Sequence, residues 1–208
     1  YRFVPSFLDA GMPTLLVTYR NDDGAPLSAE KIYAFGLTEW RDVETAVDYA
    51  LAHGAKSVVL LGESMGGGIV GQVLRQSSVA PKVSALVLDA PAIDFPAVLA
   101  MQMRQAGAPL TAVLGPVGMR LFQWLSGVPI AQAVVTDALA DFPGPMFISH
   151  GSGDRIVPVE TSDRLVELRR APTEYLRSEA DHIQSFKSDP ERYRTSLTAF
   201  LRSLAAAN

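Results

Sequence analysis

Ser64 stands in the pentapeptide Gly62-Glu63-Ser64-Met65-Gly66, followed directly by Gly67 and Gly68. A serine hydroxyl is a poor nucleophile until it is lifted clear of its neighbours and set beside a base. The local pattern can do the lifting. Residues 57–61 (SVVLL) read as a buried strand and the glycines after Met65 open a helix, so Ser64 falls on a sharp strand-to-helix turn. Glycines two residues to either side leave room for a strained backbone at that point. The same turn aims the backbone N–H of Met65 at the place where an oxyanion would form, reinforced by the positive end of the helix dipole. A plain strand-to-helix turn is the competing reading of these residues.

Such a serine needs a base, and the chain has only three histidines. His53 precedes Gly54 at a helix end, where an imidazole can meet the last carbonyls and the negative end of the dipole. His150 lies at a strand tip in His150-Gly151-Ser152-Gly153-Asp154, either as a packed turn histidine or as a group behind the site. His182, in Ala180-Asp181-His182, follows the last predicted strand on a loop at the carboxyl edge of the sheet, where open α/β sheets place their sites. It is the predicted base. For the acid, Asp154 follows one strand and precedes Pro158 and a helix, which puts it at the same edge. Asp89 also ends a strand, but it precedes Ala90-Pro91 and fits a turn or cap carboxylate, so Asp154 is preferred. The predicted catalytic residues are therefore Ser64, Asp154 and His182, with the Met65 N–H in an oxyanion hole.

These residues meet only if a parallel sheet brings them to one edge. Short β-branched runs alternate with helical patterns, the signature of βαβ units and of an α/β fold. Predicted strands cover residues 14–19 (TLLVTY), 57–61, 83–88 and 145–148, with a weaker one at 173–177. A short amphipathic helix ends at Gly11. Residues 39–53 carry Val43, Ala46, Val47 and Ala50 at helical spacing, and a last helix spans about 190–204. Asn21, Asp22, Asp23 and Gly24 are turn residues. Residues 95–136 break the rhythm: Arg104 and Arg120 are the only charges amid Met101, Met103, Leu110, Leu114, Met119, Leu121, Phe122, Trp124 and Leu125. The stretch reads as a small helical cap insertion giving the site an apolar wall, or as helices covering one face of the sheet.

At 208 residues and 48% hydrophobic, the chain has the size and core of one domain, residues 1–208. Eighteen basic against 22 acidic residues give a net charge of −4 without a basic run, which argues against nucleic acid as a partner. The lack of cysteine excludes disulfides, a thiol nucleophile and Cys-based metal sites. No apolar run reaches the roughly 18–20 residues of a membrane span and no signal peptide is visible, so the expected location is the cytoplasm. The chain opens at Tyr1 without Met, and residues 1–10 read like the middle of a domain, so upstream strands are expected to be missing.

The chain resembles an α/β-hydrolase and, within that fold, the bacterial serine hydrolases related to the BEM46 and ABHD13 group. The residues that carry the resemblance span nearly the whole chain. They are Thr18-Tyr19-Arg20-Asn21-Asp22-Asp23-Gly24-Ala25-Pro26, Glu39-Trp40-Arg41-Asp42, the elbow from Gly62 to Gly67, His150-Gly151-Ser152-Gly153-Asp154 with Val157-Pro158, and Asp181-His182. The order Ser64, Asp154, His182 is that of the α/β-hydrolases and unlike that of chymotrypsin or subtilisin. The resemblance implies a mostly parallel sheet flanked by helices and a serine hydrolase without metal or organic cofactor. Its substrate would be a small carboxylic ester or thioester, cleaved through an acyl-enzyme on Ser64. Two departures stand out. Asp181 replaces the family's usual Gly before the histidine; it tolerates a left-handed backbone and adds a carboxylate near the imidazole. The family's upstream strands, and the loop that supplies a second oxyanion N–H, have no counterpart here. In a comparable site the loss of one such donor costs about 10²–10³ in kcat. Two other functions fit the same residues: acyl transfer to an acceptor other than water, and a non-catalytic module that binds an apolar ligand or partner. The latter need not bring Ser64 and His182 within hydrogen-bond reach. The sequence is silent on oligomeric state.

Overall fold

The two central strands are short runs buried on both faces, and the strands beside them are less covered. The computed structural model describes residues 2–206. In chain order the elements are α1 (Val4–Asp9), α2 (Trp40–Ala52), β1 (Val58–Glu63), α3 (Met65–Gln76), β2 (Val83–Asp89), α4 (Phe95–Gln105), α5 (Thr111–Ser126), α6 (Thr136–Asp141), β3 (Met146–Gly151), α7 (Val159–Leu168), β4 (Thr173–Ser178), α8 (Ser185–Ser188) and α9 (Pro190–Ala206). The four strands pair in parallel in the order β1-β2-β3-β4. Each parallel step needs a crossover, and helices supply it.

Alternation along the strands divides the core in two. Leu60, Leu86, Leu88, Met146 and Ile148 pack with Trp40, Val43 and Val47 of α2, Ile69, Val70 and Val73 of α3, and Leu165 of α7. Their neighbours Ala85, Val87, Phe147 and Leu176 face the other way, against Phe3 and Phe7 near α1 and Tyr193, Leu197, Phe200 and Leu201 of α9. The register aligns the carboxyl ends. Glu63 lies opposite Asp89, and Asp89 opposite Ser149. Ser64 and the loop after β3 therefore leave the sheet at one edge.

Residues 14–19 are not a strand, contrary to the sequence-based expectation. Residues 14–18 make no backbone hydrogen bond among the described residues, and Leu15 and Leu16 are exposed. The run TLLVTY has strand composition, but a strand exists only where a neighbouring chain takes its N–H and C=O groups, and β1 pairs with β2 alone. The turn that follows does form. Asn21 adopts φ 74°, its side chain bridges Ser28 and the carbonyl of Ile32, and Arg20 forks onto Asp42.

Residues 95–136 are largely helical. Asp94 caps α4 by accepting from the Ala97 N–H at 2.9 Å, and α5 ends at Gly127 with φ 77°. Met119 of α5 packs with Ala34, Val128, Ile130 and Ala133 in a cluster that contains no strand residue, so α5 does not lie on a face of the sheet. Leu110, Val117, Leu121, Trp124 and Leu125 remain exposed.

Candidate functional site

Ser64 occupies the step from β1 to α3 with φ 51° and ψ −119°, a conformation that costs a non-glycine residue about 1–3 kcal/mol. Three hydrogen bonds fix it there. Its N–H donates to the Asp89 carbonyl at 2.9 Å, and its carbonyl accepts from the N–H groups of Gly67 (2.9 Å) and Ala92 (2.8 Å). The turn is also crowded. A Cβ on Gly62 would lie 2.6 Å from the Gly66 carbonyl oxygen, and one on Gly67 would lie 2.4 Å from the Pro91 Cβ. Gly66, flanking Ser64 in the sequence pattern, is less confined: a Cβ there would meet only the Tyr19 hydroxyl, at 3.7 Å. Gly67→Ala is accordingly expected to lower stability by about 1–3 kcal/mol despite the better helix propensity of Ala, read as a lower urea midpoint at unchanged slope.

The three side chains singled out by the sequence form one hydrogen-bonded line. His182 Nδ1 lies 2.7 Å from Asp154 Oδ2, and His182 Nε2 lies 2.9 Å from Ser64 Oγ. An ionised carboxylate can only accept, so Nδ1 carries the proton and donates it; Nε2 is left to accept from the Ser64 hydroxyl. Asp154 is fully saturated. Its Oδ1 accepts from the N–H groups of Ile156 (2.8 Å) and Val157 (2.9 Å), and its Oδ2 accepts from His150 Nε2 (3.1 Å) as well as from His182. Burial alone would raise this carboxyl. The hydrogen bonds from His150, His182, Val157 and Ile156 outweigh it and hold Asp154 well below the usual carboxylate range. His182 is partly exposed, with 15% of its side chain accessible, whereas Asp154 is shielded. Met65 is the first residue of α3, and a helix leaves its first N–H groups without intrahelical partners.

Asp89, the competing acid, is committed elsewhere. Its carboxylate takes a hydrogen bond from Arg2 at 2.8 Å, and the same guanidinium binds Glu63. Burial pushes Asp89 and Glu63 upward despite Arg2. His53 does what a helix-end imidazole should: Nδ1 donates to the Tyr49 carbonyl at 2.8 Å and the ring stacks on Tyr49. The Asp181 carboxylate has partners other than the imidazole. It forks onto Arg155 and accepts from the His182 backbone N–H, and the left-handed residue of this loop is Ile183, at φ 52°. A carboxylate with a guanidinium and two backbone N–H donors has its acceptor capacity largely filled.

His150 is not a turn residue. It is the fifth residue of β3, wholly buried, with Nδ1 2.7 Å from Ser162 Oγ and Nε2 between Asp154 Oδ2 and the Val157 carbonyl. Its i, i+4 spacing to Asp154 was visible in the sequence, but nothing there pointed to Ser162 as a partner. Gln102 of α4 was likewise hidden. Its amide donates to the carbonyls of Arg155 and Ile156, tying α4 to the loop that carries Asp154. Among the described residues no group of three or more His, Asp and Glu side chains could hold a metal ion, and no helix is long and apolar enough to cross a membrane.

No family model matches the chain, and no curated protein matches it in sequence. Solved structures do match in shape. A Pyrococcus furiosus esterase superposes with a TM-score of 0.75 at 19% identity, covering 98% of this chain and 74% of its own. Est1E from Butyrivibrio proteoclasticus, solved with ferulic acid bound, gives 0.72 at 18% identity over 99% and 82% of the two chains. A monoacylglycerol lipase from Paleococcus ferrophilus gives 0.63 at 18% identity over 98% and 89%. With the parallel sheet and its flanking helices, this likeness shows that the chain has the α/β-hydrolase fold.

Proposed function

We propose that this chain is a serine hydrolase that cleaves a small carboxylic ester or thioester through an acyl-enzyme on Ser64. The observation that carries the reading is the unbroken line from Ser64 Oγ through His182 to Asp154. A module that only binds an apolar ligand has no need of it. In the proposed cycle Ser64 Oγ attacks the acyl carbon while its proton passes to His182 Nε2. Asp154 stabilises the imidazolium through Nδ1–H. The tetrahedral oxyanion is met by the Met65 N–H at the positive end of α3. His182 then protonates the departing alcohol or thiol, and water, deprotonated by the same imidazole, releases the acid. These residues supply a nucleophile, a base and an oxyanion donor, so no metal or organic cofactor is assigned a role.

Ester chemistry is also what the names of the structural neighbours describe for those proteins, an esterase and a monoacylglycerol lipase. The bacterial subgroup suggested by Tyr19 to Pro26 remains part of this reading. In it, α4 and α5 form a small cap whose apolar side chains favour the acyl part of the substrate. The test is turnover of p-nitrophenyl acetate, butyrate and octanoate by the purified chain. The expected result is release of p-nitrophenol that a fluorophosphonate stops at one equivalent per chain. Folded protein with no turnover of any ester or thioester would refute the reading.

A further inference from the structure

We propose that His150 is a positioning residue for the reaction: its Nε2–H holds Asp154 Oδ2, the oxygen that His182 also uses, and thereby fixes the carboxylate that orients the base. The inference deepens the serine-hydrolase reading and rests on it. It is carried by donor and acceptor bookkeeping in a dry place. His150, Ser162 and the Asp154 carboxylate are all buried. Nε2 of His150 faces two acceptors, Asp154 Oδ2 at 3.1 Å and the Val157 carbonyl at 3.3 Å, so it must carry the proton. Nδ1 is then bare and accepts from the Ser162 hydroxyl at 2.7 Å. Neither nitrogen is spare. Packing alone would be served by a leucine, without placing a donor against an oxygen that already has one.

The consequence for the reaction lies in the shared oxygen. Oδ1 is anchored by the Ile156 and Val157 N–H groups, and Oδ2 would have only His182 if His150 were apolar. The carboxylate could then turn about its bond to Cβ, and its full charge on that side would fall on the His182 N–H. With His150 present the carboxylate plane is fixed from both ends, and Oδ2 divides its charge between two donors. Other carboxylates facing these imidazoles are Asp163 on α7, neutralised by Arg177, Asp89, held by Arg2, and Glu63 beside Ser64. Each has a partner of its own, which leaves Asp154 as the acceptor that both histidines share.

The experiment compares His150→Leu, which keeps the volume and removes the donor, with His150→Gln, which restores an N–H near the Nε2 position. His150→Leu is expected to lower kcat for p-nitrophenyl butyrate by about 10-fold with KM within about two-fold, and His150→Gln to recover most of the loss. A signature independent of turnover comes from NMR. The His182 Nδ1–H proton should move further downfield in His150→Leu and return in His150→Gln, and three histidines keep the assignment simple. A His182 proton that does not move in His150→Leu, or a Gln variant as impaired as the Leu variant, overturns the proposal. If His150→Leu fails to fold, nitrogen-15 shifts of the unsubstituted protein decide. They must report Nε2 protonated and Nδ1 bare on His150, and the opposite tautomer overturns the assignment. Ser64→Ala run in parallel separates the two ideas: full turnover in that variant strikes at the serine-hydrolase reading. An unmoved His182 proton, with Ser64 still required, strikes at His150 alone.

Discussion

Ser64→Ala is expected to lower kcat for a p-nitrophenyl ester by about 10⁵–10⁶-fold while leaving the thermal melt close to that of the parent. The reason for the size is that in the proposed cycle one atom, Oγ, would both form the new bond and give up its proton to His182 Nε2, which lies 2.9 Å away. The reason the fold should survive is that the strained φ of 51° is imposed by the three backbone hydrogen bonds around residue 64 and by the contact of Gly67 with Pro91. None of these uses the hydroxyl. What activity remains would reflect the Met65 N–H and substrate positioning acting on water. Initial rates over a substrate series, together with a melt, check both halves.

Asp154→Asn should cost about 10⁴ in kcat for a different reason. An amide turned toward His182 to keep the Oδ1 contacts would present an NH₂ to Nδ1. Nδ1 would have to accept, Nε2 would carry the proton, and the imidazole could no longer take one from Ser64. The same substitution has a thermodynamic signature. Although burial raises the Asp154 carboxyl, the hydrogen bonds from His150, His182, Val157 and Ile156 leave it lowered. A lowered carboxyl contributes stability that is fully present above its unfolded value of about 3.9 and is lost as pH falls through that value toward the folded one. The parent's urea midpoint should therefore decline below about pH 5 more steeply than that of Asp154→Asn.

β1, β2 and β3 were legible because they are largely apolar runs whose alternate residues feed two cores, a pattern that survives without knowledge of the neighbours; β4, with Glu174 and Arg177 exposed, gave a weaker signal. Strand ends were read short. Glu63, Asp89 and Gly151 are polar or small yet remain paired, since the ladder uses backbone groups and ignores side-chain character. Residues 14–19 failed in the opposite sense: their composition suits a strand, but the partner that makes one is a property of the whole chain. Ser64, Asp154 and His182 could be chosen because each follows a strand and chain order limited the alternatives. A place behind the site was one of the two readings of His150, but its partners could not be read, because Ser162 and Val157 reach it only through the packing of α7 against β3. Asp181 was expected to tolerate a left-handed backbone and to add a carboxylate near the imidazole; the loop places its positive φ at Ile183 and uses Asp181 to bind Arg155.

Rapid-quench mass spectrometry during turnover of a p-nitrophenyl ester tests most directly whether Ser64 is the nucleophile. The account predicts a transient mass gain equal to the acyl group, confined to the peptide containing Ser64 and formed with a matching burst of p-nitrophenol. Steady ester hydrolysis with no acylated peptide, or with the acyl group on another residue, would contradict it.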